Sequence, residues 1–298
     1  MKGSVLFVIS ACLSLISFAQ EKEDIIPFTL TAYNNISIRS ILNEKDTINL
    51  MLHTAASDLA LTEETTQRLH DLHFERADSV KSWGGAGNIS RFSKSNVLQI
   101  GTLKWTDVPL WEDQNSGRMT DGKFGLNLFK DKFIEIDFDK KIIVLHNSLP
   151  SKAQTYAKLK LTAQGELLFI EADCTIGTTT LTNKFLIHSG YSGDILFDDK
   201  FVAENKIDTA LKVVAEKSLK DAYGNVLKTK RAIMPGLVIG KEKFADVPVG
   251  FFQGAIGRQK MSIIGGDMLK RFNIIIDAKR EYIYLIGNGL KGGEYSQV

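Results

Sequence analysis

The chain is written twice, and that constrains its fold more than any other feature. Met51-Leu52-His53-Thr54-Ala55-Ala56-Ser57 returns in the second half as Leu186-Ile187-His188-Ser189-Gly190-Tyr191-Ser192. Ile100-Gly101 with Lys104-Trp105-Thr106-Asp107-Val108-Pro109-Leu110 returns as Ile239-Gly240 with Lys243-Phe244-Ala245-Asp246-Val247-Pro248-Val249. Phe124-Gly125-Leu126-Asn127-Leu128-Phe129-Lys130 and Ile136-Asp137 return as Ile264-Gly265-Gly266-Asp267-Met268-Leu269-Lys270 and Ile276-Asp277. The order is kept and the offset drifts only slightly, as changes in loop length produce. Two copies of one domain are expected: the first over 26–149, a linker over 150–158, and the second over 159–288.

Each copy reads as mainly strand, because short β-branched or aromatic runs alternate with turn residues about every ten positions. Ile134-Glu135-Ile136-Asp137-Phe138 and Ile142-Ile143-Val144-Leu145 form a hairpin through Asp139-Lys140-Lys141, and Ile274-Ile275-Ile276 with Tyr282-Ile283-Tyr284-Leu285 form its twin. The first copy is expected to carry a helix from Thr62 to Val80, with Thr62 as N-cap and Glu63 and Glu64 favourable to the dipole. A shorter helix is expected around Asp198 to Glu204.

The N-terminus has a basic start at Lys2, an apolar run from Val5 to Phe18, and Ser17 and Ala19 before the polar Gln20-Glu21-Lys22-Glu23-Asp24. That is the layout of a secretory signal peptide, 1–19, cleaved after Ala19, and the run is shorter than a spanning helix needs. An uncleaved anchor is one alternative. Lipidation at Cys12, in Ile9-Ser10-Ala11-Cys12, ranks lower because the apolar run continues past it. The expected location is periplasmic or secreted. Cleavage leaves Cys174 as the one cysteine, so no internal disulfide can form. It lies in the apolar stretch Leu167 to Ile176 and is expected to be a buried strand cysteine. With 37 Lys+Arg against 35 Asp+Glu, charge gives no reason to expect nucleic acid or an anionic membrane as partner.

The duplicated motifs resemble the aspartic proteases, most closely the retropepsin-like and bacterial aspartyl-protease families. Ser189-Gly190-Tyr191-Ser192-Gly193 followed by Ile195-Leu196 is similar to the family signature apart from His188 and Tyr191. Thr54-Ala55-Ala56-Ser57 with Leu59-Ala60-Leu61 is similar apart from His53 and Ala55. Phe124-Gly125-Leu126-Asn127 and Ile263-Ile264-Gly265-Gly266-Asp267 resemble the supporting strands beneath the two signature loops. The resemblance covers nearly the whole mature chain. It implies a mainly β fold of two aspartic-protease-like lobes related by a pseudo-twofold axis, with a short helix in each. It also implies active-site loops at Thr54, Ala55, Ser189 and Gly190 on the floor of a cleft. Trp83-Gly84-Gly85 and Tyr223-Gly224 are the matching flap tips, or ordinary hairpin turns. No Gly-Lys-Ser/Thr leads into a helix, so neither is a phosphate loop.

Both positions where the family carries catalytic aspartates hold histidine, His53 and His188. The family's dyad is two carboxylates sharing one proton. Two imidazoles are neutral or cationic, never anionic, so the water loses its carboxylate base. The expected function is a catalytically degenerate pseudoprotease, monomeric, holding a peptide or extended protein segment between its lobes without a cofactor. An active hydrolase using the histidines and a metal-binding protein are the rivals. Zinc needs three or four ligands, and nothing in the spacing puts Asp58 or Asp194 on the same ion as the histidine pair, so no metal site is assigned. His70 and His73, three apart on the expected helix, read as a solvated face. His146 has no evident partner, and Trp105 and Trp111 read as packing of the first lobe.

Overall fold

The computed structural model describes residues 23–81, 87–220, 226–252 and 259–296. The signal-peptide and Cys12 readings, and the flap tips Trp83, Gly84, Gly85, Tyr223 and Gly224, lie outside them.

Among the described residues the chain forms three sheets, two of eight strands and one of six. The duplication is visible in their topology. Across the first eight-stranded sheet the strands run Thr29–Leu30, Ile36–Leu42, Asp46–Leu52, Gly122–Phe124, Leu59–Thr62, Leu103–Asp113, Gly87–Ile100 and Arg76–Lys81. Across the second they run Thr162–Gln164, Leu167–Ile176, Thr179–Ile187, Ser262–Ile264, Ile195–Leu196, Glu242–Phe252, Val226–Ile239 and Val213–Lys220. The permutation of sequence order is the same in both, and each sheet bends back to make one further pairing between equivalent strands. The repeated turn residues serve the same backbone geometry twice. Gly101 and Gly240 turn with φ of 57° and 62°, and Asp107 and Asp246 sit in the left-handed region at 56° and 51°, which Asp tolerates better than most residues.

The six-stranded sheet joins the lobes. At its centre Ile134 pairs with Ile276, Glu135 with Ile275 and Ile136 with Ile274. Since Ile274 and Ile276 are the repeats of Ile134 and Ile136, Ile134 meets the twin of Ile136 and Ile136 the twin of Ile134, as a twofold relation requires. Residues 150–158 cross between lobes through a short 3-10 turn, Ser151–Thr155, into the edge strand Ala157–Lys160. Alternation along Ile36–Leu42 buries every second side chain, as expected where one sheet face meets a core. One buried apolar cluster runs from Ile26 to Leu285 through both lobes and includes Cys174, a free thiol with no measurable exposure.

The expected helix from Thr62 to Val80 is corrected by the structure. Thr62 does cap it, accepting from the Thr65 amide at 3.2 Å, but the helix spans Glu63–Arg68 only. Leu69 turns extended, Leu69, Leu72 and Phe74 pack on the core, and Arg76–Lys81 pairs as an antiparallel strand with residues 87–92. Sheet pairing wins over helical pattern there. His70 and His73 therefore do not share a helix face, and His70 contacts Asp46 at 3.2 Å. The second helix, Asp199–Glu204, is capped by Asp198 through the Phe201 amide.

Past residue 288 the chain leaves the repeat and wraps around Arg271, which is 1% exposed. The guanidinium donates to the carbonyls of Leu290, Lys291, Gly293 and Glu294 and lies 4.1 Å from the Tyr295 ring centre.

Candidate functional site

His53 and His188 each follow directly on a core strand, Asp46–Leu52 and Thr179–Ile187. Each is tied to its supporting strand by the same bond: His53 N–H donates to Phe124 O at 2.9 Å, and His188 N–H to Ile264 O at 3.0 Å. Each loop then turns back alike, with Ala56 N–H donating to His53 O and Tyr191 N–H to His188 O, at 3.0 and 3.1 Å. The glycine in each supporting motif is a matter of space. A Cβ on Gly125 would overlap Ala56 O, and one on Gly265 would overlap Gly193 O. These are collisions with backbone that no side-chain adjustment relieves.

The hydroxyls of Thr54 and Ser189 lock the two loops together reciprocally. Thr54 N–H donates to Ser189 Oγ and Ser189 N–H to Thr54 Oγ1, both at 3.0 Å. Thr54 Oγ1 donates across the axis to Ile187 O, and Ser189 Oγ to Leu52 O, both at 2.6 Å. Both side chains are buried. Asn34 and Asn35, in the turn before strand Ile36–Leu42, add bonds from the first lobe to Ser192 O and Ser189 O.

This lock brings the imidazoles of His53 and His188 side by side in a tilted pair, with ring centres 4.6 Å apart and planes inclined by 60°. The pair is not symmetric in detail. His53 Nδ1 accepts the Ala55 amide at 3.2 Å, so its proton sits on Nε2. His188 Nδ1 is buried without a hydrogen-bond partner. The His53 ring fills the space over Gly190, where a Cβ would overlap its Cδ2 and Nε2. Ala55, the equivalent residue, carries its methyl against the second lobe's cluster around Phe169, Leu186 and Phe252. Tyr191 departs from the signature without disturbing the loop. Its ring packs in that same cluster, where a Cβ on Gly193 would come within 2.7 Å of its Oη and one on Gly265 within 2.5 Å of its Cδ1.

Burial is the main reason both imidazoles are hard to protonate. His188 is pulled down to about 4 by burial, with Lys123 adding to the effect. His53 is held well below its usual value by burial, then by His188 and Lys123. At neutral pH the pair is uncharged. Lys123 is a site residue that the sequence reading missed. It lies on the supporting strand Gly122–Phe124 and its ammonium pairs with Asp113 at 2.5 Å. The visible signal was a lysine where the other copy has Ile263.

The neighbouring carboxylates go elsewhere. Asp58 accepts from Trp111 Nε1 at 3.2 Å, and Asp194 pairs with Arg231 at 3.1 Å. Asp194 and Asp267, 2% and 0% exposed, act on one another's ionisation. Burial, then Asp267, push the Asp194 carboxyl far above the ordinary range, so that it carries the pair's proton. Burial works against ionising Asp267, but Asp194 and Lys270, the latter 2.6 Å away, hold it low. Ser296 closes this cluster, donating N–H to Asp267 Oδ2 at 2.6 Å and accepting Arg231 on its carbonyl at 3.1 Å.

Among the described residues, no three or more His, Cys, Asp or Glu are grouped to hold a metal ion. His146, for which the sequence suggested no partner, sits between Glu23 at 2.9 Å and Glu135 at 2.8 Å in the lobe-joining sheet. Trp105 packs near Phe129, with ring centres 6.1 Å apart, and Trp111 near Phe92 at 4.6 Å, as first-lobe packing. A recess of about 390 Å³ beside Trp105 is lined by Ser57, Asp58, Gly125 and Asn127 and includes neither histidine of the pair.

The sequence matches no protein-family model and no curated protein. Solved structures match widely, with 411 chains, so the likeness of shape is not an isolated coincidence. One of them is the aspartic proteinase from Irpex lacteus, 12% identical, with a TM-score of 0.60 over 91% of this chain and 99% of that one. The fold of this chain is that of the pepsin-like aspartic proteinases, two barrel-like lobes about a shared sheet.

Proposed function

We propose that the protein is an exported pseudoprotease that binds a peptide or extended protein segment between its lobes without cleaving it. The observation that carries this reading is the imidazole pair, His53 and His188, held in contact by the reciprocal Thr54–Ser189 lock. The aspartic-protease reaction needs a carboxylate that takes a proton from water while its partner donates one. Neither imidazole supplies the negative charge. The two loops nonetheless keep matched hydrogen bonds, in the manner of a site whose architecture is still under use. Export rests on the tripartite N-terminus, with the mature chain starting at Gln20.

The rival hydrolase reading finds no free nucleophile in the loop hydroxyls and would have to activate water instead. The hydroxyls beside the histidines, Thr54 and Ser189, each donate to a carbonyl across the axis and accept an amide, so neither is free for activation by imidazole. Metal binding is disfavoured by Lys123, whose charge already acts against protonation of both rings and would act against a cation in the same way.

The test is fluorescence anisotropy of mature protein with a labelled pool of end-blocked, mixed-sequence octapeptides, read together with mass spectrometry of the pool. Saturable binding that leaves the peptides intact is expected. Absence of binding across the pool, or accumulation of cleaved peptide, overturns the reading.

A further inference from the structure

We propose that the occupant of the interlobe site is an anionic peptide, seated with a carboxylate on the His53–His188 pair. The inference rests on the peptide-binding reading and adds the chemistry of what is bound. In the family's own dyad, two carboxylates share one proton and the floor is negative, which disfavours a substrate carboxylate at that point. Here that charge is gone. Among the described residues, Lys123 acts on both rings and His188 on His53, and no carboxylate is among the groups that do so. Asp113, the counter-charge of Lys123, is bound directly to its ammonium.

Hydrogen-bonding capacity points the same way. His53 Nδ1 is committed to the Ala55 amide, so Nε2 of that ring is a donor. His188 Nδ1 is buried and unpartnered, and a buried ring nitrogen left without a partner is costly. The loop hydroxyls are consumed by the interlobe lock, and the loop residues Ala55 and Tyr191 turn apolar surface into the second-lobe cluster. Of the described residues 53–55 and 188–191, the rings are thus the polar side chains that the lock leaves to meet a ligand. A carboxylate offers acceptor oxygens for ring N–H groups, and its charge offsets the effects that keep the rings neutral: burial and Lys123 for both, and His188 for His53. Binding of an anion is therefore linked to proton uptake, because the bound anion stabilises an imidazolium that the free site disfavours.

The experiment is isothermal titration calorimetry of mature protein with end-blocked heptapeptides that differ only in a central Glu or Gln. A third peptide, with Gln at the centre and a free C-terminal carboxylate, separates side-chain from terminal recognition. At pH 6 the Glu or free-acid peptide is expected to bind about tenfold tighter than the blocked Gln peptide, the scale of a charge-assisted hydrogen bond. Its apparent enthalpy should change between two buffers of unlike ionisation enthalpy in the sense of net proton uptake. In His53→Asn with His188→Asn the preference should fall to near unity and the uptake should vanish. The buffer comparison on unaltered protein stands whether or not that variant folds. Equal or tighter binding of the blocked Gln peptide, or anion binding without proton uptake, overturns this inference and leaves the peptide-binding reading intact. Failure of all three peptides and of the mixed pool removes both.

Discussion

His188 should make the protein acid-sensitive by an amount that can be worked from its surroundings. In the unfolded chain the imidazole protonates near 6.5, and in the folded protein near 4. Between those values the unfolded state binds more protons, so stability falls as pH drops through that window and is unaffected above it. At about 1.4 kcal/mol per unit, the loss on going from pH 7 to below 4 is about 3 kcal/mol from this residue. His53 acts in the same direction. Urea unfolding of the native protein and of His188→Gln, at pH values from 7 to 4, isolates the contribution, since other titrating groups are common to both and largely cancel in the difference. The native protein should lose about 3 kcal/mol relative to the variant across the series. NMR of the imidazole carbon-bound protons should place the native titration well below 6.5. A His188 that titrates at or above 6.5, or a stability difference that stays flat with pH, would refute the picture of a half-buried, uncharged pair.

Asp194 should show the opposite sign: its carboxyl keeps a proton in the folded state that the unfolded chain releases near 4, so stability should fall as pH rises from that value to beyond neutral. Asp194→Asn should flatten this limb in the same urea series. Ser189→Ala removes an acceptor for buried Thr54 N–H and a donor to Leu52 O, and calorimetric melting should report a loss of about 2–4 kcal/mol. Gly190→Ala forces a methyl into the His53 ring and should cost about 1–3 kcal/mol. Adding His53→Ala should recover most of that loss, whereas additive losses would show that the clash lies elsewhere.

What the sequence made legible follows from where the backbone permits little choice. Gly101 and Gly240 need φ > 0, and Gly125 and Gly265 are pressed against carbonyl oxygens, so the repeat survives at those positions while the surfaces drift apart. A twofold relation puts equivalent loops together, which is why His53 and His188 were readable as a pair although they lie in different halves of the chain. The helix after Thr62 was overread because its start signals are local, whereas its end is set by the pairing of Arg76–Lys81 with a distant strand. Lys123 hid as one charged residue in an otherwise matching motif. The Asp194–Asp267 pair and the tail around Arg271 have no counterpart in the other copy, so the comparison that revealed the fold could not reveal them.

The central claim is that the loops of an aspartic-protease fold here hold a pair without the charge that the reaction needs. Cleavage of a broad peptide pool by unmodified mature protein at acid pH, with and without a statine-type transition-state mimic, tests it directly. No inhibitor-sensitive turnover is expected. Robust, inhibitor-sensitive cleavage that persists in the His53→Ala and His188→Ala variants would contradict the claim and move the active site elsewhere.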